Sequence, residues 1–194
     1  MGKSTKDKVV NRFIHKGVFP YQLAFTLLIP LRKIFLSPNQ LLERLNLEDD
    51  FNVLEIGPGP GFFSIRIAQH LKRGKLVLAD IQEEMLSISK RRIERKGLKN
   101  VEYKLLDGQK LDFSDKSFDR VFMVTVLGEV ENQEEYIKEI YRILKDGGIL
   151  SVSELVGDPD KMRTEQLKEL VIPFGFKSYK QFGSEKNYTI NFVK

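Results

Sequence analysis

Residues 53–64 read Val-Leu-Glu-Ile-Gly-Pro-Gly-Pro-Gly-Phe-Phe-Ser, an apolar run that ends in a carboxylate and then in three alternating glycines. Twenty-three residues after Gly57 comes Asp80, which closes a second apolar run, Lys-Leu-Val-Leu-Ala-Asp. A buried strand emptying into a glycine loop lets the backbone approach a ligand closely, because no Cβ stands in the way. An acid at the tip of the next parallel strand sits where one carboxylate can accept two hydrogen bonds from a ribose diol. Together the two segments point to a ligand that contains a nucleoside.

The glycine spacing separates two classes of such ligand. A dinucleotide fingerprint, G-x-G-x-x-G/A, brings helix N-terminal amides to a pyrophosphate. Here the order is Gly57-Pro58-Gly59-Pro60-Gly61, and Phe62 stands where the third fingerprint glycine belongs. Pro58 and Pro60 also remove two amide donors from the loop, which suits a ligand without phosphates. The segment Glu55–Gly61 resembles motif I, (D/E)-x-G-x-G-x-G, of the class I S-adenosylmethionine-dependent methyltransferases. The resemblance implies that Glu55 organises the loop and the methionine end of the cofactor, and that Asp80 binds the ribose.

Outward from these residues, strand-like and helix-like segments alternate from about residue 51, the pattern of a parallel sheet with helices on both faces. The spacing predicts strands at 52–57, 75–80, 101–106, 118–126, 147–154, 176–182 and 187–193, and helices at 61–72, 82–96, 133–145 and 164–172. Lys96-Gly97 and Lys145-Asp146-Gly147-Gly148 read as helix stops. The last two strands read as a hairpin around Gly183–Lys186. The resemblance covers about 145 residues and implies a Rossmann-like α/β fold, seven strands in the order 3-2-1-4-5-7-6 with an antiparallel seventh. It is strongest to the small-molecule branch related to quinone-biosynthesis methyltransferases, through Phe118-Asp119-Arg120-Val121, Tyr141–Gly148 and Gly175-Phe176.

Further cofactor contacts follow from the same resemblance: Gly57, Pro58, Gly59 and Gly61 in the loop, and Asp107-Gly108 after the third strand for the adenine amine. Ile81 and Met85 are placed to sandwich the adenine ring, and core packing is an equal reading for both. Thr125, at the end of strand four, takes the position whose backbone faces the methionine amino group. That strand ends Thr125-Val126-Leu127-Gly128-Glu129 and lacks the (N/D/S)-P-P-(Y/F/W) motif of enzymes that methylate nucleobase or amide nitrogens. Oxygen, carbon, sulfur and amine acceptors stay open.

The chain has 194 residues, with apolar and charged fractions of 41% and 30%, in the range of one globular domain. It has no cysteine, which excludes disulfides, cysteine-ligated metal and the thiolate chemistry of arsenic methylators. No metal is expected. The start shows no signal-peptide pattern, so the expected location is cytoplasmic. Residues 1–44 hold eight Lys/Arg against two Asp/Glu, a net of +6, while residues 45–194 hold twenty-four against twenty-five, a net of −1. The basic character belongs to an N-terminal helical extension, residues 1–50, ahead of a cofactor-binding domain at 51–194.

No large insertion separates the last strands, so the cover over the pocket is expected from the extension. Its stretch Val18–Leu31 is apolar on nearly all sides, with Arg32-Lys33 directly after, and is too short and proline-broken to span a bilayer. Three uses compete for residues 18–36: a lid, a membrane-surface contact, or a homodimer contact. Candidate proton acceptors are His15 and Tyr21 in the extension and Glu129 and Glu154 in the body, with Glu154 at the cleft end of strand five. The run Lys90–Lys96 reads as a solvated helix face, so nucleic acid is not expected as a partner. The expected function is methyl transfer from S-adenosylmethionine to a small, apolar acceptor. The alternatives are an RNA or protein methyltransferase docking through the basic extension, or a non-catalytic cofactor-binding subunit.

Overall fold

A computed structural model describes the chain over residues 35–108 and 110–194. The first element is a helix, α1 (Pro38–Leu45), whose start is written in its sequence. Ser37 Oγ accepts from the Gln40 amide, the Gln40 side chain accepts from the Ser37 amide, and Pro38 fills a first-turn position that needs no donor. Then come β1 (Asn52–Ile56), α2 (Ser64–His70), β2 (Lys75–Asp80), α3 (Glu83–Glu94), β3 (Val101–Leu105) and β4 (Phe118–Val124). A 3₁₀ turn at Leu127–Glu129 leads to α4 (Gln133–Ile143), β5 (Leu144–Glu154), α5 (Thr164–Val171), β6 (Lys177–Ser184) and β7 (Asn187–Val193).

The strands form one sheet in the order β3-β2-β1-β4-β5-β7-β6, as the resemblance implied. All neighbours are parallel except at β7, which runs antiparallel to both β5 and β6. Alternation along each strand divides the core in two. Leu54, Ile56, Val121, Met123, Leu150 and Val152 face the layer of α4 and α5, whereas Val53, Leu76, Leu78 and Phe122 face α1, α2 and α3. The outer strand β6 is exposed along most of its length and carries Lys177 and Lys180, charges that discourage edge-to-edge pairing.

Element boundaries depart from the sequence reading where backbone chemistry decides them. β1 ends at Ile56 and not at 57, because Gly57 turns left-handed at φ +66°. β4 ends at Val124 and not at 126, because Thr125 turns left-handed too, at φ +56°. The expected helix at 133–145 stops at Ile143, since Leu144 already pairs with Phe118 in the sheet. The last hairpin closes with two residues, Glu185 and Lys186, because Ser184 pairs with Asn187.

The described part of the expected extension packs against the domain that follows it. Leu36, Leu41 and Leu45 are buried in one cluster with Val53, Ile67 and Phe122. Arg120 reaches out of β4 to the C-terminus of α1, its guanidinium donating to the Leu45 and Asn46 carbonyls at 3.0 and 3.2 Å and stacking on Phe51. A cation there complements the helix dipole. Asn191 donates to the Arg44 carbonyl at 2.7 Å, and Arg44 donates to Thr189 Oγ1 at 2.9 Å. Packing and hydrogen bonds thus tie residues 36–46 to the sheet. Most of the stretch read as lid, membrane contact or dimer contact, and both His15 and Tyr21, lie outside the described residues. No helix among the described residues is long and apolar enough to cross a membrane.

Candidate active site

The C-terminal ends of β1, β2, β4 and β5 gather at one edge of the sheet, where a doubly wound fold places its ligand. Glu55 is buried at the end of β1, and its Oε2 accepts from Ser64 Oγ in the first turn of α2 at 2.5 Å. That bond ties the strand to the helix across the glycine loop, in keeping with the organising role the motif implied.

The glycine loop is poor in free amides. Gly57 donates to the Ala79 carbonyl at 2.8 Å and Gly61 donates to the Pro58 carbonyl at 3.0 Å. Pro58 and Pro60 have no amide hydrogen. From 57 to 61 only the Gly59 amide is left uncommitted by these bonds, which suits a phosphate cradle poorly. Gly57 is also required sterically, since a Cβ there would lie 2.5 Å from Val126 Cγ2 at a backbone angle that side chains disfavour.

Asp80 is 8% exposed, and its Oδ1 accepts from the Gln82 amide at 3.0 Å. Burial pushes its carboxyl up to about 6, and the nearby backbone amides, Gln82 first, hold it below where burial alone would take it. Ile81 is 45% exposed beside it and faces Gly108, with its Cγ2 3.9 Å from where a Cβ on Gly108 would stand. Asp107 is exposed, and its Oδ1 accepts from the Lys110 amide at 3.2 Å. Met85 is only 2% exposed, so of its two sequence readings the burial favours packing. Thr125 donates from its amide to the Ser153 carbonyl at 2.9 Å and from its hydroxyl to the Val124 carbonyl at 2.7 Å.

Two residues at this edge escaped the sequence reading. Arg92, in the run taken as a solvated face, is partly buried and donates from Nη1 to the Pro60 carbonyl. Burial pushes its guanidinium down. It clamps the glycine loop from α3, 32 residues away. Arg92→Ala is expected to weaken cofactor binding about 10-fold or more, up to the roughly 1.5–3 kcal/mol worth of one charge-assisted hydrogen bond, with turnover at saturation unchanged. Equal dissociation constants by calorimetry would show that the clamp is irrelevant. Tyr136, on the apolar face of α4, is buried and feels the charge of Asp80; burial first and that charge second push its phenol up. The apolar spacing Tyr136-Ile137-Ile140-Ile143 had disguised it as plain core.

On the acceptor side, Glu154 is 1% exposed and neither carboxyl oxygen has a hydrogen-bond partner. Burial pushes its carboxyl up to about 8, with Asp158, Glu129 and Asp160 adding to the rise and Lys161 opposing it. Glu129 reaches this end of the sheet on the 3₁₀ turn after β4. That turn packs against the loop after β5, where the Asp160 carbonyl lies 2.0 Å from the place a Cβ on Gly128 would occupy. Among the described residues no three His, Asp or Glu side chains converge as metal ligands.

The family of methyltransferase domains matches residues 47–188, and the chain belongs to it. More narrowly, the chain is similar to class I S-adenosylmethionine-dependent methyltransferases, enzymes of quinone biosynthesis among them. It is 36% identical over 104 residues to the ubiquinone/menaquinone biosynthesis C-methyltransferase UbiE of Hydrogenovibrio crunogenus, covering 53% of this chain and 41% of that protein. It is 27% identical over 165 residues to the enzyme of the same description from Haemophilus ducreyi, covering 82% and 63%. The chain thus spans 41% to 63% of the length of these two relatives. The fold is that of a SAM-dependent methyltransferase from Aquifex aeolicus, with a TM-score of 0.85 at 21% identity over 91% of this chain and 99% of that one.

The residues present fit the family's cofactor. The loop offers close backbone approach without a phosphate cradle, the buried Asp80 carboxyl has acceptor sites left for a diol, and Ile81 beside it leaves an apolar face 45% exposed.

Proposed function

We propose that this enzyme methylates a small molecule with a largely apolar body. S-adenosylmethionine supplies an activated methyl group, so the chain's own task is to align, to exclude water and to handle a proton. In this reading Glu55 holds the loop, Asp80 takes the ribose, Asp107 takes the adenine amine and the Thr125 backbone faces the methionine end. The observation that carries the reading is the glycine loop, with its Gly57 and Gly61 amides committed and two prolines without a donor, beside a buried acid on the neighbouring strand. Support for a small acceptor comes from the end of β4, which lacks the stacking motif of nucleobase enzymes, and from relatives named for quinone biosynthesis. The apolar Val156 side chain, 48% exposed just beyond β5, adds a greasy rim on that side.

The test is to incubate the protein with methyl-labelled S-adenosylmethionine and a cell extract separated into small molecules, RNA and protein. Label in an organic-extractable small-molecule fraction is the expected result. Label confined to RNA or protein would overturn the small-molecule reading in favour of a macromolecular acceptor.

A further inference from the structure

We propose that Arg142 is a positioning residue for the nucleoside end of the cofactor: its guanidinium holds the segment after β3 in the shape that presents Asp107 to the adenine amine. The inference rests on the role given to Asp107 above and adds the residue that aims it.

Between β3 and β4, residues 106–108 and 110–117 form neither helix nor strand. Backbone groups in such a stretch need partners from outside it. Arg142, near the end of α4, supplies two of them. Its Nη1 donates to the Phe113 carbonyl at 2.8 Å, and its Nη2 donates to the Leu111 carbonyl at 2.9 Å. Carboxylates fix the guanidinium in turn. Nη1 donates to Asp115 at 2.6 Å, while Nε and Nη2 donate to Glu139 at 3.0 and 2.9 Å. A guanidinium carries five N–H donors in one plane, and these five bonds engage both of its edges. The ammonium of a lysine, a point charge with three donors, cannot reproduce that planar set.

Leu111 carries the effect to the ligand. Its side chain is buried in the core cluster that holds Tyr136 and Ile140 of α4, and its carbonyl is one of the two on Arg142. At the other end of the segment the Leu106 amide donates to the Asp80 carbonyl at 2.9 Å, which ties it to the strand end bearing the ribose acid. Only four residues separate Leu106 from Leu111, and Asp107 and Gly108 are two of them. Both are exposed, so the fixed ends of the segment set where they stand. Arg142 itself keeps 33% side-chain exposure and belongs to neither core cluster, so replacing it loosens the segment without emptying the core.

The test compares two ligands by calorimetry at pH 8: S-adenosylhomocysteine and its analogue with hydrogen in place of the adenine amine. Wild type is expected to prefer S-adenosylhomocysteine by at least about 10-fold, the loss of one hydrogen bond to a charged group. In Arg142→Lys that preference should shrink to under about 2-fold, with the dissociation constant of the analogue unchanged. Equal weakening of both ligands overturns the inference, because a generally loosened fold affects them alike. A preference that survives at its wild-type value overturns it too, and leaves the role of Asp107 standing. A wild type without any preference overturns the role of Asp107 and the inference together. Glu139→Ala removes the carboxylate that aims the guanidinium while keeping a good helix former in α4, and it carries the test should Arg142→Lys not fold. Its preference should fall at least about 3-fold, part of the worth of that bond, and an unchanged preference overturns the inference.

Discussion

Asp80→Ala is expected to weaken S-adenosylmethionine binding at pH 8 by at least about 100-fold. Two hydroxyl donors on one ionised carboxylate are worth roughly 1.5–3 kcal/mol each, and two such bonds correspond to more than two decades of affinity. The substitution also strips the Gln82 amide of its side-chain acceptor, while the glycine loop keeps its tie to β2 through the Gly57 amide and the Ala79 carbonyl. Asp80→Asn separates binding from folding. The wild-type carboxyl is raised from 3.8 to about 6 by burial, so its contribution to stability is full below pH 3.8 and lost as pH rises through about 6. The loss amounts to roughly 3 kcal/mol. Without ligand, Asp80→Asn should therefore melt above wild type at pH 8, while showing a much smaller rise in Tm on adding cofactor. In wild type the cofactor affinity should fall as pH drops below 6. Calorimetry across pH 5–8 checks this, and an unchanged dissociation constant in Asp80→Ala would remove the residue from the site.

Glu154→Gln is expected to stabilise the protein, and increasingly so as pH rises. The folded carboxyl is raised from 4.5 to about 8, chiefly by burial, so the folded state keeps a proton that the unfolded chain gives up. Wild-type stability from this group is full below pH 4.5 and falls by about 1.4 kcal/mol per pH unit until pH 8. The total loss is roughly 4–5 kcal/mol, and Gln does not suffer it. The gap in Tm between variant and wild type should open from near zero at pH 4.5 to on the order of 10 °C at pH 8.5. A gap that does not change with pH would mean that Glu154 is ionised in the folded protein or reached by water. A stabilising substitution at a buried acid marks a residue kept at the expense of stability, which is characteristic of functional sites.

What the sequence by itself determined is local or periodic. The apolar runs, the helix caps and the glycine spacing act within a few residues, through φ preferences and i to i+4 hydrogen bonds, and so they placed the strands, most of the helices and the loop. Glu55 and Asp80 were legible because a strand's end sets where its last side chain goes. Tertiary structure alone decided the groups joined across long stretches of chain. Arg92 clamps Pro60 because α3 lies beside the loop, α1 joins the core because Arg120 and Asn191 grip its last turn, and Tyr136 meets the field of Asp80 from the opposite layer. Glu154, at the end of β5, is 1% exposed, which no local pattern in its own strand reveals. Burial and charge environment are properties of neighbours in space, and the sheet order that chooses those neighbours is set by the packing of the whole core.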